Sequence, residues 1–291
     1  MSIFLGLLSL IVSILLPVLI LFFTGFEALH FSIFFVIPIG ALFTGYICGY
    51  GYYKGLFKSN VFITGKHFLI GFVLSLICIL GIEYTSYMIT CINPENMEIV
   101  YTLDGDHVSN YYSDDYGQFD FFTYKKYMIE NTPISFSYKA RSIGDISNPI
   151  VGWVFAMIDA LGVIVGCLFA GFFQKDHPYC HTCKLYKKEK EIFNFSKGDG
   201  LVFFEDLESH LSQNLSINTL LNSFTLDEHL EKEEHFLCTL IYCDLCKTAS
   251  LKFELHELNS KNKLEVNTDF TYLIDVNYDE IVHFIHATAV A

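Results

Sequence analysis

The chain opens on an unbroken apolar run, Ile3 to Phe23, with no charged side chain in it. Three more predominantly apolar stretches follow, at about Ala28 to Cys48, Phe68 to Thr90 and Pro149 to Phe173, the last two each holding one acid. A helix needs about 20 mostly apolar residues to cross a hydrocarbon core of roughly 30 Å. Each run meets that length, so the pattern predicts four membrane-spanning helices and a lipid bilayer as the first partner. Pro17 and Pro38 lie inside the first two, where membrane helices tolerate proline better than soluble ones do. A cleaved signal peptide is the competing reading of the first run. It would want a basic start and a small-residue cleavage site, and Met1-Ser2-Ile3 and Phe22-Phe23-Thr24 supply neither.

Beyond about Gln174 the pattern changes to shorter segments with interspersed charge, as in a soluble domain. The expected organisation is a transmembrane domain over 1–173, interrupted by a loop over 91–148, and a second domain over 174–291. Loop charges set the orientation. Lys54, Lys58 and Lys66 lie between the second and third spans without an acid. Lys175, Lys184, Lys187, Lys188 and Lys190 follow the fourth against Asp176 and Glu189. Both places read as cytoplasmic, and the 91–148 loop, where acids outnumber Lys125, Lys126, Lys139 and Arg141, reads as external. Both termini then fall inside. The short loops and the two-part plan suggest a bacterial inner (plasma) membrane.

A net charge of −14 argues against a nucleic-acid partner, because phosphate contact needs clustered Lys and Arg. Arg141 is the single arginine, which leaves almost nothing for bidentate phosphate or carboxylate clamps.

Asp159 falls near the middle of the fourth span. A charge at that depth costs about 2.5–3.5 kcal/mol on insertion scales and normally faces protein or water. Gly162 and Gly166 follow at i+3 and i+7 and Ala170 continues the stripe, so Asp159 is expected on the packed face. An interhelical hydrogen bond, to a Ser or Thr for example, is the simpler reading. A proton or cation group in a conduction path is the alternative, and it would make the chain a transporter or channel component. Glu83, Glu27 and His30 are read as solvated helix ends near the outer interface. Gly45 and Gly49 form a GxxxG pair and Gly71 with Ser75 a similar one, both packing signals. Cys48, Cys78 and Cys167 read as small apolar packing residues.

The loop over 91–148 is long enough to fold or to cap the bundle. Its many Tyr and Phe residues read as an aromatic belt at membrane level. Asp104, Asp106, Asp114 and Asp115 do not match the spacing of a calcium loop.

The strongest chemical signal lies in the second domain. Tyr179-Cys180-His181-Thr182-Cys183-Lys184 recurs as Tyr242-Cys243-Asp244-Leu245-Cys246-Lys247. A CxxC turn puts two thiolates on one side of a tight knuckle, and two knuckles complete a tetrahedral set for Zn²⁺. The flanking lysines would offset part of the surplus thiolate charge. In Cys180, Cys183, Cys243 and Cys246 the domain resembles a zinc ribbon, departing from it in the length between the pairs. That departure implies an insert over 184–242, read as partly helical at Leu201–Glu208 and Leu226–Phe236. Iron shares these ligands. A thioredoxin-like redox pair would want a βαβ setting that neither copy has, and disulfides do not suit a reducing compartment. His177 and His181 are redundant as ligands. Leu251–His256 alternates as a strand, with a turn at Asn259–Asn262 and a second strand over Leu264–Val276. Ile281–His286 reads as a third strand or a short helix.

No nucleophile triad, phosphate loop or His-Glu-x-x-His motif is present. The sequence therefore predicts an α-helical membrane domain bearing a cytoplasmic α+β, zinc-ribbon-like domain. Its expected role is not an enzyme's: a closed, structural Zn²⁺ site suits an interaction, scaffold or regulatory protein that binds a protein partner.

Overall fold

The computed structural model describes residues 2–32, 37–93, 98–103, 105–131, 134–138, 141–146, 148–212, 233–260 and 262–281. Two compact units divide the chain, Met1–Asp176 and His177–Ala291.

The first unit is built on four long helices: α1 (Ser2–Thr24), α2 (Ile39–Lys58), α3 (Gly65–Met88) and α5 (Pro149–Lys175). Among the described residues, α1, α3 and α5 are long and apolar enough to cross a membrane. α5 starts where local chemistry dictates. Pro149 takes the first helical turn, where a missing N–H costs nothing, and the Asn148 side chain accepts from Ile150 N at 2.9 Å. At α3 the Thr64 N–H donates to His67 Nδ1 at 3.0 Å.

α2 departs from expectation. The predicted span over Ala28–Cys48 is instead a short 3₁₀ turn at Ala28–His30 and a helix that begins only at Ile39. Pro38 explains the late start, since proline disfavours helical backbone in the residue before it. The helix then runs on through the Gly- and Tyr-rich stretch to Lys58, because that stretch is covered by protein. Ala41, Gly45, Cys48, Gly49 and Tyr53 are among its buried residues.

Two glycine pairs let its neighbours approach. A Cβ at Gly45 would overlap the Val163 carbonyl of α5, and one at Gly49 the Cys167 carbonyl. From the other side, a Cβ on Gly166 would meet the Leu42 carbonyl and one on Gly162 would press on Pro38 and Ala41. A second pair, Gly51 and Gly55, faces Leu5 and Ser2 of α1 in the same way. Backbones at this distance gain the dispersion contacts that hold helices together where lipid removes the hydrophobic drive.

The loop between α3 and α5 is folded. A three-stranded antiparallel sheet has the order β2 (Ile99–Tyr101), β1 (Thr90–Ile92), β3 (Asp106–His107). Two hairpins, β4–β5 (Tyr112–Ser113, Gly117–Gln118) and β6–β7 (Ile134–Tyr138, Arg141–Ile146), flank helix α4 (Phe121–Asn131). The aromatics read as a belt are divided in use. Phe119 and Tyr124 are buried with Tyr87 and Val108 in a small core, whereas Tyr112 and Phe122 are exposed.

The second unit is an antiparallel sheet in the order β10 (Lys188–Ser196), β11 (His235–Cys243), β12 (Thr248–Leu258), β13 (Leu264–Asn277), with a separate hairpin β8–β9 (Tyr179–Cys180, Leu185–Tyr186). Helix α6 (Lys197–Ser212) packs on one face. Phe193, Phe195, Phe203, Phe236, Leu240, Leu251 and Phe253 are buried there, with the Phe203 and Phe253 rings 5.3 Å apart. A bulge between Glu191 and Phe193 lets β10 change from a charged edge to a strand that turns Phe193 and Phe195 into this core. The stretch between the knuckles thus supplies two strands of the sheet as well as a helix. Leu201–Glu208 lies within α6, and His235 and Phe236 begin β11; residues 226–232 lie outside the described residues. β12 and β13 cover the predicted alternating segments, and 278–281 form a helical turn. His283 and His286 lie outside the described residues.

Candidate metal centre

The two Cys-x-x-Cys copies are structural equivalents. Cys180 ends β8 and pairs across its turn with Leu185. Cys243 ends β11 and pairs across its own turn with Thr248, the same offset in both. Each turn closes on a lysine with positive φ, Lys184 at 56° and Lys247 at 56°. A residue other than glycine seldom takes that conformation. Its recurrence at one place in both copies makes the repeated hexapeptide a repeated knuckle, and the terminal lysine of each copy is the sequence trace of that shared turn.

The knuckles bring Cys180, Cys183, Cys243 and Cys246 together. All four sulfurs lie within 4.8 Å of one another, and Cys180 Sγ is 3.4 Å from Cys246 Sγ. A tetrahedral thiolate site with metal–sulfur bonds of about 2.3 Å has sulfur–sulfur edges of about 3.8 Å. The cluster is therefore of the right size to hold a metal ion. Cys180 and Cys243 are buried, Cys183 and Cys246 half-buried.

The thiols are not equivalent electrostatically. Burial, then the neighbouring sulfurs, push Cys183 up to about 12. The Thr248 hydroxyl, 3.2 Å from Cys246 Sγ, and then the Thr248 N–H pull Cys246 down to about 6. The second knuckle is braced from outside. Asp244, between its cysteines, pairs with Lys188 Nζ at 2.7 Å and accepts from the Tyr278 hydroxyl at 3.3 Å. The Lys247 ammonium lies over the Tyr278 ring at 4.5 Å, a cation–π contact. His177 faces Glu189 at 3.6 Å and the His181 ring packs on Tyr179.

In the first unit, Asp159 is buried and its partner is His30, not a Ser or Thr: His30 Nδ1 and Asp159 Oδ2 are 2.6 Å apart. Glu83 is paired with Lys125 of α4 at 2.5 Å. Glu27 accepts from the Tyr101 hydroxyl at 3.2 Å. The acids read as solvated helix ends thus have specific partners. Cys48, Cys78 and Cys167 are fully buried between helices, with Cys78 against Ser13 of α1 at 3.2 Å.

Fold and site together define a bundle of membrane-length helices joined to an antiparallel-sheet domain with a four-cysteine, metal-capable cluster. Compared with known proteins, the chain matches no family model, no curated protein and no solved structure.

Proposed function

We propose that this chain is a membrane-anchored interaction protein, in which a structural zinc ion shapes a cytoplasmic domain for binding a protein partner. The observation that carries the reading is the closed set of four cysteines on two matching knuckles. Four protein sulfurs leave no coordination position for water or substrate, so such an ion acts as a staple and not as a catalyst. Thiolates suit zinc or iron. Zinc is favoured here because it needs no redox partner and because small knuckles hold it in a closed tetrahedron. In this reading α2 is a fourth crossing, both termini are cytoplasmic, and the host membrane is a bacterial inner membrane. Lysines at 54–66 and 175–190 then share the inner side, where thiols stay reduced.

Metal analysis of the full-length protein, purified without added zinc, should find one zinc per chain, absent from the Cys180→Ser, Cys243→Ser double variant. Crosslinking in native membranes should join the wild type to a partner that the double variant loses while retaining its place in the membrane. A chain without metal, or a double variant that keeps the same crosslink, would defeat the proposal.

A further inference from the structure

The polar groups at the α3–α4–α5 end of the first unit converge on one place, and the zinc reading makes no use of them. His30 lies between two carboxylates. Nδ1 is 2.6 Å from Asp159 Oδ2, and Nε2 is 3.7 Å from Glu27 Oε2. The imidazole side chain is 38% exposed and that of Asp159 only 6%, so the histidine joins an accessible acid to a buried one. The second oxygen of Asp159 has no hydrogen-bond partner among the described residues. It belongs to a residue that lines a small cavity with His30, Glu83 and the apolar Leu29, Ile79 and Val163. Leaving a buried carboxylate oxygen unpaired costs several kcal/mol on general grounds.

The local charge points to what is missing. Among the described residues the ammonium paired with these acids, Glu27, Glu83 and Asp159, is Lys125, on Glu83. Tyr101, from β2, contributes only a neutral hydroxyl to Glu27. With His30 neutral, Glu27 and Asp159 have no cationic partner among the described residues. A metal ion would need several ligand atoms converging on one point, and these groups are already turned towards one another. A proton needs only a lone pair and a hydrogen-bonded path. Imidazole provides that path, accepting at one nitrogen while donating at the other.

We propose that His30 and Asp159 form a proton-binding site of the membrane unit, with Glu27 as its contact with water. The proton enters at Nε2 of His30, and the Nδ1 proton moves onto the short bond to Asp159. The buried carboxylate is then neutralised or ion-paired, and Glu83 stays with Lys125.

The test is the pH-difference infrared spectrum of the full-length protein in lipid vesicles, between about pH 4 and 9, where free carboxyl and imidazole groups titrate. Subtracting the Asp159→Asn spectrum from that of the wild type should leave a carboxyl and imidazole difference band above the background shared by the chain's other acids and histidines. His30→Gln should move the midpoint of that band by at least about one pH unit, a tenfold change in proton affinity. Asp159→Glu should restore the signal with a changed midpoint. A spectrum untouched by Asp159→Asn, or a midpoint unmoved by His30→Gln, would overturn the assignment. So would a midpoint that follows sodium concentration at fixed pH, since that would make the bound ion a metal cation. Should Asp159→Asn fail to fold, the His30→Gln midpoint decides alone.

Discussion

If the cysteine cluster holds the proposed zinc, stripping it should release one hairpin of the second unit and leave the sheet in place. The hairpin β8–β9 has only two cross-strand pairs, Tyr179↔Tyr186 and Cys180↔Leu185. A two-stranded hairpin is marginal in water by itself. The edge-on contact of the Tyr179 and Tyr186 rings, 5.0 Å between centroids, adds about 0.5–1.5 kcal/mol. Without metal, its amides should therefore exchange within about tenfold of an open chain. With metal at about 100 times its dissociation constant, linkage adds about 2.7 kcal/mol, or roughly 100-fold more protection. The sheet keeps a stability of its own without the metal. β11 and β12 pair from His235↔His256 to Cys243↔Thr248 over a fully buried set that includes Leu240, Leu251 and Phe253. Its opening should approach the global stability of a domain, about 5–15 kcal/mol.

Hydrogen exchange read by mass spectrometry, on full-length protein before and after chelation, separates these two regions. Peptides covering 179–186 should lose about 100-fold in protection and exchange nearly as an open chain, whereas those covering 236–242 and 249–255 can lose up to the same factor through global opening and should still stay far better protected. Unchanged exchange at 179–186 after the metal has been removed would refute the staple. Open-chain exchange at 236–242 and 249–255 as well would refute the independence of the aromatic core.

Metal uptake should release protons, because thiols bind as thiolates. At neutral pH Cys246, held at about 6, has already lost its proton and Cys183, at about 12, has not. Calorimetry in buffers of different ionisation enthalpy should give a release above zero but below one proton per cysteine, with affinity rising with pH. Acid should weaken the second unit through His256, whose pKa is lowered by burial and by the stacked His235 ring 4.9 Å away, against smaller opposing effects of Glu254 and Glu191. A base with a depressed folded pKa contributes its full stability above the unfolded value of about 6.5 and loses it as pH falls below that. His256→Gln should flatten this part of the denaturation profile. Gly45→Ala should lower the melting temperature of the solubilised protein by the equivalent of about 1–3 kcal/mol, because its Cβ would overlap the backbone of Val163. Gly65→Ala, with open space around it, should be neutral or stabilising by up to about 1 kcal/mol. Equal effects at the two sites would remove the case for a close α2–α5 crossing.

What could be read from the chain followed from how local each signal is. α1, α3 and α5 are visible because length and apolarity belong to one continuous segment. The cysteine cluster is visible because each knuckle is a hexapeptide and its repetition identifies the partner. The His30–Asp159 contact joins residues 129 apart, and nothing near either of them announces the other. β10 was hidden for a different reason. Its first half, Lys188-Glu189-Lys190-Glu191, looks like a solvated surface, and the bulge after Glu191 breaks the alternation before Phe193 and Phe195 reveal a core strand. The aromatics of the 91–148 loop are ambiguous in sequence because a Tyr or Phe at a bilayer boundary and one in a small loop core leave the same pattern. Packing against Tyr87 decides it for Phe119 and Tyr124.

α2 makes the same point about apolarity. The other long helices expose broad faces, as Leu7, Ile11 and Leu15 do in α1, or Leu69, Val73 and Leu80 in α3. Such faces need lipid-compatible side chains. α2 turns Gly45 and Gly49 to α5 and Gly51 and Gly55 to α1, and buries Tyr52 and Tyr53 between neighbours. Glycine contributes little apolarity and tyrosine carries a hydroxyl, so a helix enclosed by protein scores below its neighbours whatever its place in the membrane. Its 20 residues rise about 30 Å, the thickness of the hydrocarbon core. Counting it as a crossing puts the N-terminus on the same side as the lysines at 54–66 and 175–190, which are separated by α3 and α5 and share a side either way. The shortfall in apolarity is then the mark of a central position in the bundle, and the doubled glycine spacing, Gly45 with Gly49 and Gly51 with Gly55, is its trace in the sequence.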